Sequence, residues 1–235
     1  MRRIAYYRPN APMSPKGWMS QIWRGKSPVR ASMNGMLAET GVWSGRILDV
    51  GGTNQPLPTY RAFFPLAPDA HVTTLNIDAE AKPDLVADAT HIPLPPASID
   101  AIWCLNVLEH LERPEAAMQE MARVLVPGGR IACFTPFLVR VHGHPQDYFR
   151  FTETALRSLW ERAGLRVESV RIAGGAPFLA AVSQIQPVFP RFLFPVCVLL
   201  SRAFDALICR LRPSLSNAWP LGILVIVKKE YVSGQ

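Results

Sequence analysis

A chain of 235 residues that is 49% hydrophobic and only 18% charged is long enough to bury a substantial core, and it is not a disordered polymer. Its net charge of +7 suits nucleic acid, anionic lipid or an anionic substrate, without choosing among them. The four cysteines, Cys104, Cys133, Cys197 and Cys209, form no CxxC pair and sit in apolar runs, which reads as reduced core thiols of a cytoplasmic protein. Met1-Arg2-Arg3 is followed by no apolar run, so no signal peptide is predicted.

Residues 1–40 are rich in Pro, Met, Trp and Arg and predict a basic, partly irregular arm with a helix near 32–41, ended by Gly41. From Gly45 strands and helices alternate. RILDV (46–50) is a strand followed by the turn Gly51-Gly52-Thr53-Asn54. TTLNID (73–78), PDLVAD (83–88) and IDAIWCL (99–105) are the next three strands. Pro114 opens a helix over 114–125, and Pro127-Gly128-Gly129 turns the chain into the strand RIACFTP (130–136). Thr152 is a candidate N-cap for a helix over 152–165, and strands over 166–174 and 221–229 close the pattern. The expected fold is α/β: a Rossmann-like, seven-stranded, mostly parallel sheet with helices on both faces. The domain proper is expected over 41–235. It includes an apolar helical insertion at 174–215, where a minimal fold needs only a short connection.

In such sheets ligands bind beyond the carboxyl ends of the strands. The polar residues cluster there: Gly51 to Asn54, Asp78, Asp88, Asn106 to His110, and HGHPQDYFRFT at 142–152. A glycine turn lets backbone approach a ligand closely. Asp78 at a strand end can accept from both ribose hydroxyls of a nucleoside, and Asp88-Ala89 offers a carboxylate to an adenine amino group. Each acid alone could be a turn residue; three in order at successive strand ends favour a nucleoside pocket.

The segments ILDVGG, LNIDA, ADATHIPLPPASIDAIWCLNVLEHL and RPEAAMQEMARVLVPGGRIACFTP resemble the class I S-adenosylmethionine-dependent methyltransferases. The similarity runs from about residue 46 to 172 and through the last strand, and it is closest to the small-molecule and glycan O-methyltransferase branch. The resemblance implies S-adenosyl-L-methionine as cofactor. Gly51 and Gly52 would turn against its methionine part, supported by Asp49. Asp78 would take the ribose, Asp88 and Ala89 the adenine, and Cys104, Leu105 and Asn106 would border the sulfonium. The family turn usually reads D-x-G-x-G-x-G; here Thr53 and Gln55 stand at the second and third glycine positions. That departure keeps two other readings open, a non-catalytic binding relative and, from the net charge, an RNA methyltransferase. No basic–aromatic repeat supports the latter, so no nucleic-acid partner is expected. A dehydrogenase lacks its GxGxxG turn here.

Transfer to a hydroxyl needs alignment and a proton acceptor, a task suited to histidine. The candidates are His110, His142 and His144, with Asp147 as orienter or substrate acceptor. Against this, Asp147 and Arg150 could simply pair, while Tyr148, Phe149 and Phe151 pack beneath the next helix. Glu109, His110 and a later histidine could hold a divalent ion. Asn106 replaces the first carboxylate of that pattern, so no metal is assigned. The expected acceptor is a small molecule, a glycan or a lipid-linked compound. The apolar stretch 187–212 could cover the pocket, pair subunits into a homo-oligomer or touch a membrane surface. Its charged residues leave no uninterrupted run of the roughly 18 residues needed to span a bilayer.

Overall fold

The computed structural model describes residues 14–54, 60–143 and 146–231. His144, Pro145, Gln55 and the arm's Arg2, Arg3 and Arg8 lie outside the described residues.

The strands are β1 (Arg46–Val50), β2 (His71–Asn76), β3 (Leu85–Val86), β4 (Ile99–Leu105), β5 (Leu125–Pro136), β6 (Arg166–Gly175) and β7 (Trp219–Lys228). They form one sheet in the order β3-β2-β1-β4-β5-β7-β6. The pairs β1–β2, β1–β4, β2–β3 and β4–β5 are parallel; β7 runs antiparallel between β5 and β6. The expected mostly parallel sheet is present, and the carboxyl ends of β1 to β5 share one edge.

Helices cover both faces. Residues α3 (Pro114–Val124) and α4 (Glu153–Arg162) pack on one side, where Met118, Met121, Leu156 and Trp160 meet Leu48, Val50 and Ile102. On the other side α2 (Pro28–Leu37) brings Met33 and Leu37 against Ile47, Trp103 and Phe134. Ile47 facing one way and Leu48 the other is the two-residue period of a strand buried on both faces. Phe64 stacks on Trp103 at 3.9 Å between ring centres, and Trp43 meets Phe64 edge-on at 5.5 Å.

Several boundaries differ from expectation. A helix α1 (Pro15–Trp23) lies in the segment expected to be irregular, and α2 begins at Pro28 rather than near 32. Each starts at a Ser-Pro pair. The Ser14 hydroxyl accepts from the Gly17 N–H and that of Ser27 from the Arg30 N–H, with proline in the first turn. β2 ends two residues before Asp78, and β3 is only two residues long. β5 begins at Leu125, so Pro127 to Gly129 lie within the strand, beside a register shift against β4. Thr152 does cap α4, accepting from the Ala155 N–H.

The insertion holds α5 (Pro177–Ile185) and α6 (Phe194–Leu211), which share a core with α1 through Ile22, Leu179, Phe194 and Val198. Asp205 fixes this arrangement. It is buried, and its two carboxylate oxygens accept from the Phe178 and Leu179 N–H groups at 2.9 and 2.8 Å, at the start of α5. Asp205→Ala therefore strands two donors at a helix N-terminus and is expected to lower unfolding free energy by about 2 kcal/mol, read as a shifted urea midpoint.

Candidate functional site

The turn after β1 is built around Asp49. Its side chain is fully buried, accepting from the Tyr60 hydroxyl at 2.8 Å and the Arg61 Nε at 2.8 Å. Burial pushes its carboxyl up, while the Arg61 charge and the Tyr60 bond pull it back. Arg61 also donates to the Thr53 carbonyl at 3.1 Å, so the carboxylate holds the turn indirectly. The Asn76 amide spans the same turn, donating to the carbonyls of Gly51 and Gly52 at 3.2 and 3.1 Å. Both glycines are required. Gly51 has φ +76° with Val107 against it, and a Cβ on Gly52 would lie 2.7 Å from the Asp49 carboxyl. Tyr60, Arg61 and Asn76 were not among the sequence candidates. Their signal was a Tyr-Arg pair in an apolar segment and an asparagine closing a strand.

Thr53 directly follows the two glycines. Its hydroxyl donates to the Ala81 carbonyl at 2.7 Å, tying the glycine turn to the short turn Ala79–Ala81. Asp78 caps that turn through one oxygen, bonded to the Glu80 N–H at 2.8 Å, and is otherwise exposed. Exposed Ile77 stands next to it. Asp88 is exposed likewise, with one oxygen on the Thr90 N–H, whereas Ala89 is buried in the core. Carboxylates with a free side, an apolar neighbour and an open glycine turn fit a ribose, a flat base and a backbone-bound tail.

At the end of β4, Cys104 and Leu105 are buried on opposite faces of the sheet, so their side chains are core, and only backbone could border a ligand there. Asn106 differs. Its φ is +56°, and its amide reaches the Met33 sulfur at 3.7 Å. Three residues further on come Glu109 and His110. Glu109 is fully buried, neither oxygen accepts from another residue, and burial raises its carboxyl to about 8. His110 bonds the Gln146 carbonyl through Nδ1, which leaves Nε2 facing Glu109 at 3.7 Å.

The stretch after β5 folds back over this turn. The N–H groups of Tyr148 and Phe149 both donate to the Glu109 carbonyl. Asp147 is paired with Arg150 and accepts from the His142 N–H at 2.9 Å; the Arg150 bond holds its carboxyl well below the usual range. The His142 Nδ1 lies 3.2 Å from the Arg140 carbonyl and 3.5 Å from Asp147. Asp147 is thus committed to Arg150 and to placing His142. Of the aromatics, only Phe151 packs into the core; Tyr148 and Phe149 stay exposed, because their backbone is pinned to Glu109 rather than to α4. The rings of His110 and His142 sit 5.1 Å apart, and one ligand atom from each of Glu109, His110 and His142 falls within 4.8 Å of the others. A cation there would have to displace the Glu109 proton.

These histidines line a cavity of about 900 Å³ beyond the ends of β4 and β5. Its other walls are the α1–α2 turn and the α5–α6 connection. Arg24, Arg30, Arg140 and Arg191 line it with no carboxylate among the described lining residues. Burial lowers the Arg30 guanidinium. Gly51, Asp78 and Asp88 are not in its lining; Asn106 is, and the next residue, Val107, lies against Gly51.

The sheet order, with one antiparallel strand between β5 and β6, and the chemistry at its carboxyl edge define a class I methyltransferase fold. Residues 48–133 match the family described as methyltransferase domain. The chain is 33% identical over 118 residues to the ubiquinone/menaquinone biosynthesis C-methyltransferase of Methylobacterium nodulans, covering 44% of this chain and 46% of that one. It is 35% identical over 103 residues to the 27-O-demethylrifamycin SV methyltransferase of Amycolatopsis mediterranei, covering 37% of each. The chain spans less than half the length of these curated relatives. Among solved structures it superposes on the 1,6-didemethyltoxoflavin-N1-methyltransferase of Burkholderia thailandensis, bound to S-adenosylhomocysteine. The TM-score there is 0.51 and the identity 14%, over 90% of this chain and 82% of that one. An S-adenosylmethionine-dependent methyltransferase from Mesorhizobium loti gives 0.52 at 16% identity over 88% and 100%. The match to the methyltransferase domain model and the superpositions give the chain a class I S-adenosylmethionine-dependent methyltransferase fold around residues 48–133.

Proposed function

We propose that the chain is an active methyltransferase that O-methylates an anionic acceptor held in the arginine-lined cavity. The observation that carries this reading is the cavity itself. Asn106, whose neighbour Val107 lies against the proposed cofactor turn at Gly51, lines it with two histidines and four arginines, and no carboxylate is among its described lining residues. S-adenosylmethionine, when bound, supplies a methyl group already activated by its sulfonium. The chain's own residues then have three tasks. Asp78, Gly51, Gly52 and Asp88 fix the cofactor, through the ribose, the backbone turn and the adenine. The arginines orient the acceptor by its charge. His142 accepts the hydroxyl proton at Nε2, its ring being set by the Arg140 carbonyl that faces Nδ1; His110, whose Nε2 faces Glu109, is the second candidate.

Labelled methyl transfer to a panel of hydroxyl acceptors (phenols, sugar phosphates, prenyl phosphates) tests the reading. His142→Gln and His110→Gln are each to be assayed, and the one that serves as base is expected to lower kcat by about 10²- to 10⁴-fold with cofactor affinity unchanged. A folded protein that binds neither S-adenosylmethionine nor S-adenosylhomocysteine would instead be a non-catalytic relative.

A further inference from the structure

The outer face of α6 is apolar and bare. Val196, Leu199, Leu200, Phe204, Leu207 and Leu211 recur every three or four residues and are all exposed. The inner face carries Phe194, Val198, Ser201 and Asp205, which are buried. The apolar surface continues past the start of α6 into the exposed Val188, Phe192 and Leu193, and across to Phe178, which packs on Phe204 at 5.5 Å between ring centres. Monomeric proteins seldom leave so continuous an apolar strip in water.

Charge identifies what covers it. Between residues 174 and 215 there are four arginines, Arg191, Arg202, Arg210 and Arg212, and one acid, Asp205. All four arginines are exposed, while Asp205 is spent inside on the α5 N-terminus. The surface of the insertion therefore carries positive charge alone around an apolar strip. A second copy of the chain would bring like charge against like. A bilayer with anionic headgroups offers the complement: acyl chains to the strip, phosphates to the arginines. No helix among the described residues is long and apolar enough to cross a membrane. With Asp205 facing inward, α6 is placed to lie along a surface.

We propose that α6 and the connection leading into it dock on an anionic membrane surface, with the cavity mouth at headgroup level. Phe189, Arg191 and Phe194 line the cavity and adjoin the exposed Val188 and Phe192, so the docking strip and the cavity rim are continuous. An acceptor with an anionic head and an apolar tail can then enter without leaving the bilayer. This last step rests on the methyltransferase reading; docking itself does not.

The test is flotation of the full chain with vesicles of phosphatidylcholine containing 30% phosphatidylglycerol, and with phosphatidylcholine alone. A variant carrying Leu200→Glu and Leu207→Glu is run beside it. Both substitutions lie on the exposed face, so folding and calorimetric S-adenosylmethionine binding should be unchanged. The wild type should float with the anionic vesicles, at least tenfold less with the neutral ones, and less as salt is raised; the variant should lose at least tenfold. Failure to float with either vesicle overturns the proposal, as does equal binding to both. A dimer in light scattering that the variant dissociates, with no flotation, assigns the strip to self-association instead. Cofactor binding lost in the wild type would strike at the methyltransferase reading and leave the docking result standing.

Discussion

Asp78→Ala is expected to weaken S-adenosylmethionine binding by about 10²- to 10⁴-fold while leaving the fold intact. One oxygen of Asp78 holds only the Glu80 N–H of an exposed turn, so its removal costs the fold little. Toward a ribose, the same carboxylate would accept two charge-assisted hydrogen bonds, each worth about 1.5–3 kcal/mol. Losing both corresponds to that change in Kd. Calorimetric titration of wild type, Asp78→Ala and Asp78→Asn reads the effect, and the asparagine should recover part of it. Equal affinity in all three would reduce Asp78 to a turn cap and move the nucleoside away from β2. The neighbouring Thr53 is not expected to interfere, since its hydroxyl is directed to Ala81.

Glu109→Gln is expected to stabilise the protein, and more so as pH rises. The carboxyl is buried, accepts no hydrogen bond from another residue and has only His110 Nε2 near it at 3.7 Å, and burial raises its pKa from 4.5 to about 8. Between those values the folded chain keeps a proton that the unfolded chain has released. Stability from this group is therefore full at acidic pH and is lost progressively up to pH 8, at up to about 1.4 kcal/mol per pH unit. Glutamine fills the same space without titrating. Unfolding free energies of wild type and variant from urea titration should lie close together at pH 5 and diverge by several kcal/mol at pH 8. Parallel pH profiles would show that Glu109 is partnered and ionised in solution.

Much of the scaffold could be read from the chain. All seven strands were located, β4 to the residue, because alternation and β-branched runs are local signals. The helices α3 and α4 were placed by proline, the Thr152 cap and helical spacing. The serine caps of α1 and α2 were just as local, but proline-rich, basic composition obscured them. Asp78 and Asp88 each lie two residues past the end of a strand, close to the expected positions, because the order of strand and turn is itself sequence.

What the tertiary structure decided is which distant residues share a space. Cys104 and Leu105 read as ligand-bordering, yet the sheet buries one on each face. Asp49 read as a lone support, but its partners Tyr60 and Arg61 reach it only through packing. The cavity takes its walls from the α1–α2 turn, the strand ends and the α5–α6 connection, segments spread from residue 22 to residue 194, and only there do four arginines become one positive field. Glu109 lies in an ordinary LEHL run, and its proton is set by dehydration, which no spacing encodes. The chain determined the helix-forming and apolar character of 194–211. Only packing against α1 and α5 decided that Asp205 turns inward and that the leucines of α6 are left facing out.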